Sequence, residues 1–229
     1  MSVVKKQTKI QYGRAVPAKL ARPRRQRFRC ETAGIHQSVP DDLRITIAAV
    51  AAAKRTQRGF RSFFVGLLKR FYARHAFFHP VPCYDDAKKA RRPTKVVRAR
   101  GEDAVEVYSC TCADGTVDVK KFRRFRDPRD FFRHRYGRCG EFAAAFCFLA
   151  AKLGFVTRFV LAYRNGFNLS WAEVLAQNGR WVPMDSTMAR GYDGVYCPGM
   201  IDKCTLFAIG PDGIAEKILR WDHRSLAQA

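Results

Sequence analysis

Acid is scarce in this sequence. Of 229 residues, 43 are Lys or Arg and only 20 are Asp or Glu, giving a formal net charge of +23. Long apolar runs are missing too. The longest uncharged one, Phe142 to Ala151, is ten residues, against the roughly 20 that a bilayer-spanning helix needs. No membrane span is expected. No apolar stretch follows Met1, so a secretory signal is not expected either. Histidine is sparse, with five residues in the chain, which limits the supply of general bases. Aromatic residues are plentiful: 18 Phe, 8 Tyr and 3 Trp need burial, which argues against a chain disordered throughout. The length suffices for one substantial core with a tail. Eight cysteines without a secretory signal read as reduced, metal-bound or catalytic rather than as a disulfide scaffold.

The charge points to a polyanion. A strongly basic surface attracts polyanions and speeds encounter with them. Nucleic acid, RNA above all, is the commonest such partner, acidic membrane surfaces come second, and solvated basic faces are the bland alternative. Residues 1–29 hold ten cations and no carboxylate. Within them Arg22, Arg24, Arg25, Arg27 and Arg29 crowd into eight positions, too charged to pack alone. We read residues 1–39 as an extended arm lying on phosphate backbone. A mitochondrial transit peptide is the competing reading.

Residues 40–229 read as one domain. Pro40-Asp41-Asp42 resembles a helix start. Helices are expected over Leu43–Ala53 and Arg61–His75, the second because Phe60, Phe63, Phe64, Leu67, Leu68, Phe71 and Tyr72 recur at spacings of three and four. Residues 88–100, with seven cations, read as a basic loop or solvated face. Residues 104–110 alternate like a strand, and residues 117–119 are placed to pair back on them. Residues 121–138 interleave eight cations with Phe122, Phe125, Phe131, Phe132 and Tyr136. That pattern suits single-stranded nucleic acid, or else the rings are core and the Arg stems cover them. Residues 139–153 form the clearest helix, with Phe142, Phe146, Leu149 and Leu153 as its buried stripe and Gly154 at its cap. Strands follow at 155–163, 171–176 and 180–184, the last two joined by Asn178-Gly179, and a final pair lies at 205–209 and 214–221.

Cys139 falls in the first turn of that clearest helix. The helix dipole and Arg138 both favour a thiolate there, and Glu141 is placed to cap the helix start. Nucleophile and small core residue remain equally open on position alone. A Cys nucleophile needs a base, usually a His oriented by a carboxylate. Asp185, at the end of the 180–184 strand, suits the orienter. The neighbouring strand, Asn168 to Val174, contains no His.

The segment Gly137-Arg138-Cys139-Gly140-Glu141-Phe142-Ala143 resembles the nucleophile motif of the peptide:N-glycanases, within the transglutaminase-like superfamily. Trp171-Ala172-Glu173-Val174 and Arg180 to Asp185 resemble that family's His and Asp strands, and the similarity runs over roughly residues 60–222. The resemblance implies an α+β fold with a papain/transglutaminase-like core, a nucleophile-type helix packed on an antiparallel sheet. It implies cleavage of N-glycans from misfolded glycoproteins through a Cys-His-Asp triad, with Cys139 and Asp185 at two of the three positions. The His position falls on Leu169, which can neither accept nor donate a proton; one-residue slippage gives Asn168 or Ser170, and neither replaces imidazole. His134, five residues before Cys139, is a poor substitute. The family's zinc site, two Cys-x-x-Cys pairs, is also altered. Here it leaves Cys83, Cys110 and Cys112 within a degenerate region spanning 83–112, with Asp86 or His79 as a conceivable fourth ligand.

Two functions are expected from this pattern. One is a catalytically silent relative, reused as a structural or binding component of a nucleic-acid-containing assembly such as a ribosome-like or viral particle. The other is an active amidase with a rearranged base. Its place would be inside the cell, in the cytoplasm or an organelle such as the mitochondrion, or in a virion.

Overall fold

The computed structural model describes residues 43–78, 95–97, 104–112, 114–125, 127–164, 167–193, 203–212 and 215–222. The basic arm, Cys83, His79 and Asp86 lie outside these residues, as does the side chain of Cys110. No helix among the described residues is long and apolar enough to cross a membrane.

Two helices open the described chain, α1 (Ile47–Arg55) and α2 (Gln57–Arg74). The first starts later than Pro40-Asp41-Asp42 suggests. Arg44 has a positive φ of 50°, which no helix interior tolerates, and the Thr46 hydroxyl accepts from the Ala49 N–H at 3.2 Å, an N-cap geometry. Thr56 divides the two helices. Its extended backbone ends α1, and its hydroxyl accepts from the Gly59 N–H at 3.0 Å to start α2. That cap moves the second helix start four residues ahead of the expected Arg61.

Two strands follow, β1 (Ala76–Phe77) and β2 (Lys95–Val97), then β3 (Val105–Thr111) and β4 (Val117–Arg123). The strand β2 corrects the reading of residues 88–100 as loop throughout. Lys95, Val96 and Val97 find an open edge on β3, opposite Val107, Glu106 and Val105. Residues 121–138 divide into the end of β4, a short helix α3 (Pro128–His134) and β5 (Tyr136–Gly137). Asp127 caps α3 by accepting from the Arg129 N–H at 2.9 Å. Phe122 and Phe131 are fully buried, so for those two rings the core reading holds. Phe125, Phe132 and Tyr136 are half-buried.

The long helix α4 (Cys139–Lys152) carries the buried stripe. Gly154, at φ +77°, ends it in the left-handed region, with the Phe155 N–H reaching the Ala150 carbonyl at 3.0 Å. The remaining strands are β6 (Thr157–Arg164), β7 (Phe167–Leu175), β8 (Trp181–Met184), β9 (Lys203–Ile209) and β10 (Ala215–Asp222). They form one antiparallel sheet in the order β10-β9-β6-β7-β8. The β7–β8 hairpin turns at Asn178-Gly179, where Gly179 has φ +77° and the Asn178 side chain accepts from the Arg180 N–H at 3.0 Å.

The helix α4 packs against one sheet face. Ala172, Val174, Val182, Met184 and Ile209 join Phe142, Phe146 and Leu149 there, and α2 closes the layer with Phe60, Phe64, Leu67 and Phe71. Such a helix-on-sheet layer is the α+β architecture that the sequence implies. The opposite face holds a second apolar cluster built on Val160, Ala162, Trp171 and Leu206.

Candidate functional site

Gly137 must be small for the site to assemble. A Cβ there would come within 2.7 Å of the Glu141 Cβ and 2.9 Å of the Phe131 ring. The chain therefore passes tightly under α3 and delivers Cys139 to the first turn of α4. The Cys139 thiol is free and partly exposed.

Four groups act on this thiol: Arg138, the Ser170 backbone N–H, Glu141 and Arg124. Burial is the largest influence and pushes the thiol up from its ordinary value. Arg138, the Ser170 N–H and Arg124 pull down, Glu141 pushes up, and the net direction is upward. The pull of Arg138 towards a thiolate is present, and burial outweighs it. Arg138 is also engaged elsewhere. Its Nη1 donates to the Tyr108 hydroxyl at 2.6 Å and lies 3.2 Å from Glu106 Oε2.

These contacts belong to a polar network that the sequence did not reveal. Glu141 is buried, and its Oε2 accepts from the Arg138 backbone N–H at 3.1 Å, the capping role expected of it. Its Oε1 pairs with Arg124 Nε at 2.6 Å. Arg124 also reaches Glu106 at 3.5 Å, and the Tyr108 hydroxyl donates to Glu106 at 2.6 Å. Burial raises the Glu141 carboxyl against the pull of Arg124. The network ties the three-stranded β2-β3-β4 sheet to the start of α4. Only the fold brings residues 106, 108, 124, 138 and 141 together. Glu141→Ala should leave the Arg138 amide without its acceptor and Arg124 with only its longer contact to Glu106. We expect a loss of about 2–3 kcal/mol in urea unfolding, at the low end for a broken buried pair because water can still reach Arg124. Glu141→Gln, which retains an acceptor, should cost less.

Leu169 lies on β7, and Asp185 follows the adjacent strand β8. Ala172 pairs with Met184 where β7 meets β8, and Asp185 follows directly. Leu169, however, packs against Val160, Ala162, Trp171 and Leu206, on the sheet face away from α4. The Asp185 carboxylate is buried, and its Oδ1 accepts from the Thr187 N–H at 3.0 Å and the Thr187 hydroxyl at 2.6 Å. It organises the turn after β8.

Two imidazoles occur among the described residues. His75 is buried, its Nδ1 donates to the Phe71 carbonyl at 2.7 Å, and its ring stacks on Phe131 at 4.6 Å. His134 is exposed and stacks flat on Phe125 at 4.8 Å. Among the described residues, neither figures in the groups acting on the Cys139 thiol.

Beneath the sheet's second face, Arg158 Nε pairs with Glu173 Oε2 at 2.5 Å, and Trp171 Nε1 donates to Glu173 Oε1 at 3.2 Å. Cys147, in the middle of α4, is fully buried and its thiol is pushed far up by burial, as expected of an inert core cysteine. The Cys204 thiol is pushed up to about 11.

The zinc expectation fares differently. Among the described residues no group of three or more His, Cys, Asp or Glu is placed to hold a metal. Cys112 is disulfide-bonded in this structure, and a sulfur so engaged is not a zinc thiolate. The donor set fits zinc only if this bond is reduced.

Comparison with known proteins bears on the fold and the site together. The transglutaminase-like superfamily model matches residues 87–186, a span that includes Cys139, Leu169 and Asp185. The chain is 30% identical over 111 residues to the peptide-N(4)-(N-acetyl-beta-glucosaminyl)asparagine amidase of Oryza sativa subsp. japonica, covering 48% of this chain and 21% of that protein. It is 35% identical over 102 residues to the amidase of the same name from Caenorhabditis briggsae, covering 43% and 16%. The Kluyveromyces lactis amidase is 35% identical over 95 residues, covering 38% and 25%. The chain thus spans between 16% and 25% of the length of these curated relatives. A helix bearing Cys139 on an antiparallel sheet, the matched family model and this run of similarity agree: residues 87–186 carry a transglutaminase-like domain, and the chain is similar over about half its length to peptide:N-glycanases.

Proposed function

We propose that this protein is a catalytically silent peptide:N-glycanase-like protein that serves as a basic structural or binding component of a large nucleic-acid-containing assembly. The observation that carries the first half is Leu169. It stands at the family's His position and is packed among Val160, Trp171 and Leu206, where it can move no proton. The upward shift of the half-buried Cys139 thiol and the engagement of Asp185 with Thr187 support the same reading. The second half rests on the net charge of +23 and the ten cations of residues 1–29. The assembly is a ribosome-like or viral particle, in the cytoplasm or in an organelle such as the mitochondrion, with RNA and neighbouring proteins as partners. Incubation with a denatured glycoprotein tests the first half, and polyanion binding tests the second.

A second reading is favoured by the name of the relatives, which are asparagine amidases. In it Cys139 attacks the glycosylated Asn side-chain amide with a base from elsewhere in the chain, and a misfolded glycoprotein is the partner.

Zinc at Cys83, Cys110 and Cys112 is part of the proposal for the reduced protein. Structural zinc contributes folding free energy directly. Protein purified under reducing conditions without chelator should then hold one equivalent, and Cys112→Ser should release it and lower the Tm. Elemental analysis finding only traces in the unmutated protein would remove the metal.

A further inference from the structure

A cleft of about 380 Å³ opens where the first turns of α2 meet the start of β8. Arg58 and Arg61 line it from α2, Arg180 and Val182 from the β8 side, and Tyr192 and Asp193 from the turn beyond. Its floor is apolar, with Val182 buried and Tyr192 half-buried against the main core. Its rim is cationic. Asp193 is already taken by Arg180 at 2.7 Å. Arg58 and Arg61 have no acidic partner among the described residues.

Arg58 and Arg61 lie three positions apart on α2, so both guanidiniums project from one helix face. The Arg61 guanidinium lies 5.8 Å over the Tyr192 ring, which restrains it along the cleft wall. Gln57, the first residue of α2, lines the same cleft, so the positive end of the helix dipole adds to the rim charge. The sum is three cations against one carboxylate around a partly enclosed apolar floor. Attraction for an anion is stronger there than on an open surface, because less water screens it. Guanidinium forks match the oxygens of phosphate in pairs.

We propose that this cleft binds a phosphate group. The phosphate belongs either to a nucleic-acid strand or to the free ion. The first source rests on the nucleic-acid reading above; the phosphate chemistry itself does not depend on it.

The full chain would be titrated with inorganic phosphate, followed by NMR at residues 57–61 and 191–193, and separately with a fluorescent single-stranded RNA. The site variant is Arg58→Ala with Arg61→Ala. A charge-matched control, Lys54→Ala with Lys69→Ala, removes two exposed cations from α1 and the far part of α2. The site variant should weaken phosphate binding by about tenfold or more, with the control near the parent. If RNA weakens alongside phosphate, a strand occupies the cleft. If only phosphate weakens, the free ion is the ligand. Phosphate binding that is undetectable in the parent chain, or no weaker in the site variant than in the control, would overturn the proposal, whatever happens to RNA. Loss of RNA binding on deletion of residues 1–29, with phosphate binding retained, would leave the cleft intact and assign strand binding to the arm. Arg58 and Arg61 are exposed, and an unchanged Tm in the variant confirms that folding is not the cause.

Discussion

A denatured N-glycosylated protein is expected to keep its glycans after incubation with this chain, and Cys139→Ala is expected to leave that result unchanged. A Cys-His-Asp enzyme uses its imidazole twice, to generate the thiolate and to protonate the leaving amine. Loss of general acid–base catalysis alone costs on the order of 10²–10⁴ in rate, and here the thiolate is disfavoured as well. Burial raises the Cys139 thiol above its ordinary value of 9.0. A raised value keeps the thiol protonated at neutral pH, so its nucleophilic form appears only as pH climbs beyond that value. Alkylation of Cys139 by iodoacetamide, followed on its own peptide by mass spectrometry, should therefore rise with pH through a midpoint above 9.0. An imidazole-activated thiol would react with a midpoint well below it. Deglycosylation abolished by Cys139→Ala, together with a low alkylation midpoint, would sink the silent reading. His134→Ala and His79→Ala would then identify the base.

Deleting residues 1–29 should produce the other large effect, on polyanion binding. Each phosphate neutralised releases condensed counterion, and log affinity falls with log salt by about 0.7 per contact on single strands and 0.9 on duplex. With ten cations and no acid in the segment, the full chain should show a steep slope, and the truncated chain a flat one. Affinity at low salt should fall on the order of 10²–10³ on truncation. Sequence preference should be small, because phosphate contacts position a strand without reading bases. The truncated chain should still fold, since the apolar stripes of α2 and α4 do not draw on the arm. If the arm pairs instead with acids of a neighbouring protein, salt would matter less and truncation would alter assembly. Equal polyanion affinity for both chains at 150 mM salt would retire the phosphate-binding role of the arm.

The order of the longer elements, α2, β3, α4 and the five strands after it, was legible in the sequence, because each rests on a local pattern. Phenylalanines three and four apart mark the buried stripe of α2, and Phe142, Phe146, Leu149 and Leu153 mark that of α4. Asn178-Gly179 fixes the β7–β8 turn through backbone conformations that few other residues adopt. The +23 charge and the absent histidine on β7 are likewise plain in the letters. Short elements escaped for a physical reason. Three residues of β2 hold no pattern of their own and become a strand only because β3 offers an edge. The short helix α3 is set by the Asp127 cap within a run dominated by charge. The state of Cys139 was decided entirely by tertiary structure. The sequence places Arg138 beside it, and the fold adds Glu106 and Tyr108, some thirty residues away, as partners of the same guanidinium. Burial then governs the thiol, because desolvation depends on everything packed around an atom. The arginine-lined cleft is likewise a product of folding alone. It joins residues 57–61 to residues 180–193, segments that no sequence spacing relates.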